Sequence, residues 1–216
     1  GATLSVTGPA VANQTIGLGQ SVTAGRATYS FTKTATALQL TVTGSLLNLV
    51  WTGSQGTAWD YTSTNWQSGG AGTTFGPGDN ATIATPASIV VDAGGIMSGT
   101  VSVTSAGGVD LSGGTLTAAA VAKSGAGTFT LNNALAVAGG VTVSGGTLAV
   151  GPTGSLGGGS FAGAIVNNAA VVYSGTANQT LAGAISGTGS LTQAGAGTLF
   201  LTGTSTATGS IVVAAG

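Results

Sequence analysis

The strongest constraint on what this chain can fold into is an internal repeat. Lys123-Ser124-Gly125-Ala126-Gly127-Thr128-Phe129-Thr130-Leu131 runs on to Val141-Thr142-Val143-Ser144-Gly145-Gly146. Without a gap, Gln193-Ala194-Gly195-Ala196-Gly197-Thr198-Leu199-Phe200-Leu201 runs on to Ile211-Val212-Val213-Ala214-Ala215-Gly216. Units of this kind stack, because each has a face it can bury only against a neighbouring unit. In the first copy Thr147-Leu148 follows as another strand start, whereas the second copy reaches the last residue. The expectation is a stack whose final strand is uncovered.

Composition narrows the type of stack. Only 3% of residues are charged, against roughly 25% in ordinary domains. Those residues are Arg26, Lys33, Lys123, Asp60, Asp79, Asp92 and Asp110. Glu, His and Cys do not occur, 41 residues are Gly, and 42% are hydrophobic. A core is therefore available, built from small and β-branched side chains, and the apolar, near-neutral balance is the opposite of a disordered chain's. The most apolar run, Leu46-Leu47-Asn48-Leu49-Val50-Trp51, is far short of the ~20 residues of a membrane-spanning helix. The aromatics cluster before residue 76, unlike the paired girdles of a membrane barrel. Three basic residues make no phosphate-neutralising patch, so no nucleic-acid partner is expected. The chain starts at Gly1 without Met, which reads as a processed, mature form.

From about Ile83 the pattern is short strand, glycine corner, short strand. Strands are expected at 88–91, 100–103, 114–117, 127–131, 141–143, 146–150, 170–173, 189–192, 198–201 and 211–213. Alternation places Phe129 and Leu131 on one face and Val141 and Val143 inward, with Thr130 and Thr142 outward. Lys123 and Gln193 hold equivalent slots, and a slot that accepts a charge is expected to face water. The pattern predicts an all-β chain, a parallel β-solenoid of ~20 residues per coil with roughly six or seven coils. Residues 1–48 form a β-rich N-terminal segment or cap, 49–82 a Trp-rich opening or capping unit, and 83–216 the solenoid.

Residues 184–199, with Ala184-Ile185-Ser186-Gly187-Thr188-Gly189 leading into Gln193-Ala194-Gly195-Ala196-Gly197-Thr198-Leu199, resemble the passenger-associated repeat of bacterial autotransporters. The run from Thr208 resembles the end of that repeat, and Gly154-Ser155-Leu156-Gly157-Gly158-Gly159 its continuation. The constellation Trp51, Trp59-Asp60, Asn65-Trp66, Phe75 and Gly78-Asp79-Asn80 is similar to the unit that opens such tracts in giant surface proteins. The resemblance implies a right-handed parallel β-helix, secreted or on the surface of a Gram-negative-type bacterium. The chain departs from the family in lacking a translocator barrel.

Without His or Cys there is no Ser–His or Cys–His nucleophile and no imidazole or thiolate metal site, and four scattered Asp make no paired-carboxylate centre. The expectation is no enzyme, no cofactor and no metal. Asp79-Asn80 and Asp92 read as turn formers rather than calcium ligands. Gly157-x-Gly159-x-x-Ala162 reads as a corner, since no βαβ unit surrounds it. Three Asn-x-Thr triplets, at Asn13, Asn80 and Asn178, are read as chance. Trp51, Trp59, Tyr61 and Trp66 either plug the first coil or offer a glycan platform. Where the first copy has outward Thr130 and Thr142 the second has Phe200 and Val212, a candidate assembly contact. The function expected is a structural surface fibre, spacer or coat, self-associating head-to-tail or continuing a longer surface protein. The alternative is an adhesin for glycan or host surface.

Overall fold

The computed structural model describes residues 3–8, 11–24, 26–33 and 38–215. From Asn48 onward the chain winds as a parallel β-solenoid. Its second face stacks eight strands: Ala58–Trp59, Ala87–Val91, Val109–Gly113, Thr128–Leu131, Thr147–Val150, Ala170–Tyr173, Ser190–Gln193 and Ile211–Val213. At ~4.8 Å per step, seven steps make a rod about 34 Å long. The first face runs from Asn48–Trp51 through Asn80–Ile83, Ile96–Val103, Leu116–Lys123, Val141–Val143 and Ile165–Asn167 to Ile185–Ser186. A third, less regular side carries Ala134–Val137, Ser155–Leu156, Ser160–Phe161, Gln179–Leu181 and Leu199–Leu201.

The register advances by 20 residues at most steps, as Ala81↔Val101↔Val121↔Val141 and Val171↔Leu191↔Ile211 show. The expected coil length is therefore the observed one. Two departures have visible causes. Asn48 pairs with Asn80 because the antiparallel hairpin Trp66–Ser68/Ala71–Thr73 is inserted between them. Val141 pairs with Ile165, 24 residues on, because Gly157–Gly159 make an extra turn.

Period-2 alternation builds the core. Val109, Phe129, Leu148, Val171 and Leu191 form one inward column of the second face, and each is buried. Each fully buried side chain of this size contributes about 1.5–3 kcal/mol. Glycine corners let the coils approach. A Cβ on Gly127 or Gly197 would fall on the carbonyl oxygen of Gly107 or Ala177 one coil away, so only hydrogen fits there. Residues before Asn48 are antiparallel: the pair Thr3–Gly8/Val11–Gly17 and the three-stranded sheet Gln20–Ala24, Ala27–Lys33, Leu38–Thr43.

One expectation is overturned, and the long repeat falls out of step with the coils. The seventy-residue repeat does not span a whole number of coils. Down the first face Lys123 is followed by Val143 and Asn167, and the next 20-residue step reaches position 187. Gln193 lies six residues beyond it, on the second face. The second copy is thus rotated by one face relative to the first. The overturned expectation is that Lys123 and Gln193 face water: they are 1% and 8% exposed and point inward. Strand parity decides this, since Lys123 shares its side of the strand with Val121, and Gln193 with Leu191.

Candidate functional site

The N-terminal end of the solenoid is plugged by aromatic rings. Asn48–Trp51 brings Trp51, Ala58–Trp59 brings Trp59, and the inserted hairpin brings Trp66. Trp66 lies 5.1 Å from Trp51, 4.9 Å from Trp59 and 4.8 Å from Phe75 between ring centroids, and Trp59 lies 5.2 Å from Phe75. Such edge and tilted contacts add about 0.5–1.5 kcal/mol each beyond area burial. Trp59 and Trp66 are completely buried, Trp51 and Phe75 nearly so. Tyr61 is half-buried, and its Oη accepts a hydrogen bond from Met97 N at 2.8 Å. Burial raises its phenol pKa above the ordinary value, opposed by that N–H and assisted by the charge of Asp92. The three Trp rings therefore face one another rather than solvent.

Asp79 is the polar node of this end. It is buried, pairs with Arg26, and accepts hydrogen bonds from Leu47 N at 2.8 Å and Gly76 N at 2.7 Å. Arg26 also donates to Thr74 O from both Nη atoms, at 3.2 and 3.3 Å. One carboxylate thus joins the antiparallel N-terminal sheet, the entry to the solenoid and the loop closing the first coil. Asn80 continues this node as a ladder, donating to Asn48 Oδ1 at 2.8 Å and accepting from Thr100 N at 2.7 Å.

The other acids are engaged locally. Asp60 accepts from Thr62 N and Ser63 N, and Asp92 from Gly94 N. Burial alone would raise the Asp60 pKa, but its bonds to Ser63 and Thr62 hold it below the usual carboxylate value. Asp110 points outward on the second face. Among the described residues no cluster of His, Cys, Asp and Glu is placed to hold a metal ion.

A second set of polar residues locks the corners; from sequence only Lys123 and Gln193 stood out, and as water-facing slots. Lys123 Nζ donates to Gly125 O and, at 3.1 Å, to Gly145 O one coil on. Gln193 Nε2 donates to Gly195 O at 3.1 Å and to Gly197 O. Tyr173 Oη donates to Ala177 O, and Asn167 Nδ2 to Ser190 O at 2.8 Å. Each is an inward-facing residue at the end of its strand, where carbonyls of the following corner turn into the core. The readable signal was the even spacing from Val121 to Lys123 and from Leu191 to Gln193.

The assembly candidates Phe200 and Val212 are 45% and 43% exposed. They belong to different sheets, Phe200 to the third side and Val212 to the second face, so they do not form one patch. Beside them Leu201, Ile211 and Val213, which continue inward columns, are also exposed.

Parallel coils, an end filled by aromatic rings and glycine corners define a β-solenoid. The family model of the passenger-associated transport repeat matches residues 121–150 and 191–216, and the chain resembles the repeat proteins of autotransporter passengers. No curated protein and no solved structure is significantly similar to it. The two matched stretches begin at Val121 on the first face and Leu191 on the second, so the two copies lie one face apart in this chain.

Proposed function

We propose that this chain is a non-enzymatic structural segment of an autotransporter-like passenger, a rigid spacer on or outside a Gram-negative-type cell. The observation that carries the reading is the uninterrupted ladder of eight parallel strands on the second face. Backbone hydrogen bonds run along the rod, so length is set by coil number and stiffness by the stacked core. The repeat match supports the surface setting. The test is a surface-anchored fusion with a fluorophore or epitope beyond the segment. Deleting one regular coil, residues 101–120, is expected to bring the marker about 4.8 Å closer to the anchor. A marker height that ignores coil number would overturn the spacer reading. Retention on a glycan array that depends on Tyr61 or the Trp residues would instead favour an adhesin.

Self-association is the finer part of the proposal. No residue after Lys123 is charged, so the later coils lack the charges that ordinarily keep sheet surfaces apart. Phe200→Thr with Val212→Thr restores the residue type of the first copy. It is expected to lower the scattering intensity of concentrated solutions, and unchanged scattering would remove these two residues as the contact.

A further inference from the structure

Lys123 sits in a column where a charge is out of place. Its neighbours above and below on the first face are Val103 and Val143, with Ile83 one step further and Asn167 on the other side. The side chain is 1% exposed. Its Nζ has two acceptors, Gly125 O in its own corner and Gly145 O in the next coil. The space is closed by Gly146, whose φ of +65° and proximity to Nζ leave no room for a Cβ. Among the described residues, neither the strands packed against Lys123 nor the corners at 124–127 and 144–146 supply a titratable group facing it. Asp110, on the adjacent strand of the second face, points to solvent.

The donor count discriminates between the two protonation states. A neutral amine has two N–H groups and meets two carbonyls, whereas an ammonium has three and leaves one unmet. An idle lone pair costs about one hydrogen bond, while a buried charge without a counter-ion costs several times more. The second repeat copy points the same way: its equivalent slot holds Gln193, whose neutral Nε2 bonds Gly195 O, the counterpart of Gly125 O, and Gly197 O in the same corner.

We propose that Lys123 is a pH-sensitive lock, which as a neutral amine ties the corners of two successive coils and on protonation loosens the stack at that point. Burial lowers its pKa from the ordinary 10.5, in keeping with the geometry. Below the lowered value Lys123 is charged in the folded and unfolded chain alike, and the cost of burying that charge is fully present. As pH rises from the lowered value to 10.5 the cost is relieved, so this residue makes the solenoid more stable with increasing pH.

The test uses the whole chain and Lys123→Gln, which installs the residue of the second copy. Thermal unfolding is followed from about pH 6 to about pH 11, spanning the ordinary lysine value. The wild-type midpoint is expected to climb with pH relative to the variant's, with the variant the more stable at the acid end. A difference that stays constant across this range would overturn the proposal. Because Lys33 and Lys123 are the only lysines, 13C NMR of the lysine Cε groups provides a direct reading on the unaltered protein. Loss of one signal in Lys123→Gln assigns the other. A Lys123 titration midpoint below that of free lysine supports the lock, and one at or above it rules the lock out.

Discussion

Trp66→Ala is expected to destabilise the solenoid by about 3–5 kcal/mol, the range for truncating a fully buried aromatic. Trp66 is the ring in contact with Trp51, Trp59 and Phe75 at once, so its removal opens the plug from all three sides. Hydrogen exchange should show the loss first in Asn48–Trp51 and its partner Asn80–Ile83, which pair directly beside the hairpin. Trp66→Phe separates packing from hydrogen bonding. Among the described residues neither Trp59 Nε1 nor Trp66 Nε1 finds an acceptor, so phenylalanine removes an unmet donor while keeping most of the ring. Its cost is therefore expected to be well under that of alanine, measured by urea unfolding. Equal costs would show that the site needs the full indole and that a phenyl ring does not keep the contacts that matter.

Asp79→Ala is expected to have an effect of similar size, about 3–5 kcal/mol, for a different reason. It leaves Leu47 N and Gly76 N without their acceptor, at about 1–3 kcal/mol each, and strips Arg26 of its partner. Arg26→Met should cost less, about 1.5–3 kcal/mol, the value of hydrogen bonds to a charged group. The carboxylate keeps both backbone donors in that variant, and Arg26 is itself partly exposed. The two variants are compared by chemical denaturation and by protease cleavage of the segment before Asn48. If that segment is no more easily cut in Arg26→Met than in the wild type, Arg26 does not tether the N-terminal sheet to the solenoid.

Much of the architecture was legible because its rules are local. The strands at 141–143, 170–173 and 211–213 match Val141–Val143, Ala170–Tyr173 and Ile211–Val213, since β-branched runs ended by Gly or Ser leave little choice of boundary. Of the third side, only Leu199–Leu201 falls on an expected strand, 198–201, and the others were missed. Ser155–Leu156 and Ser160–Phe161 have two residues each, too few for an alternating pattern to show. The Trp constellation pointed to the plugged end, yet nothing local paired Asp79 with Arg26, 53 positions earlier in the chain. That contact exists only once the N-terminal sheet has folded back on the first coil.

The amino-acid sequence alone determined that this protein is a stack: hydrophobic alternation, glycine corners and the 20-residue spacing are short-range properties, repeated until few other folds remain. The tertiary structure decided where each copy of the repeat falls. Every face obeys the same inward–outward rule, so a strand from one copy fits any face, and the total path length chooses among them. Seventy residues are not a whole number of 20-residue coils, and with the extra turn at Gly157–Gly159 taking up four of them Gln193 falls one face further round. Strand parity buried Lys123, whose charge argued for water but whose place in the column is between Val103 and Val143. Packing along the column overruled the preference of the single residue.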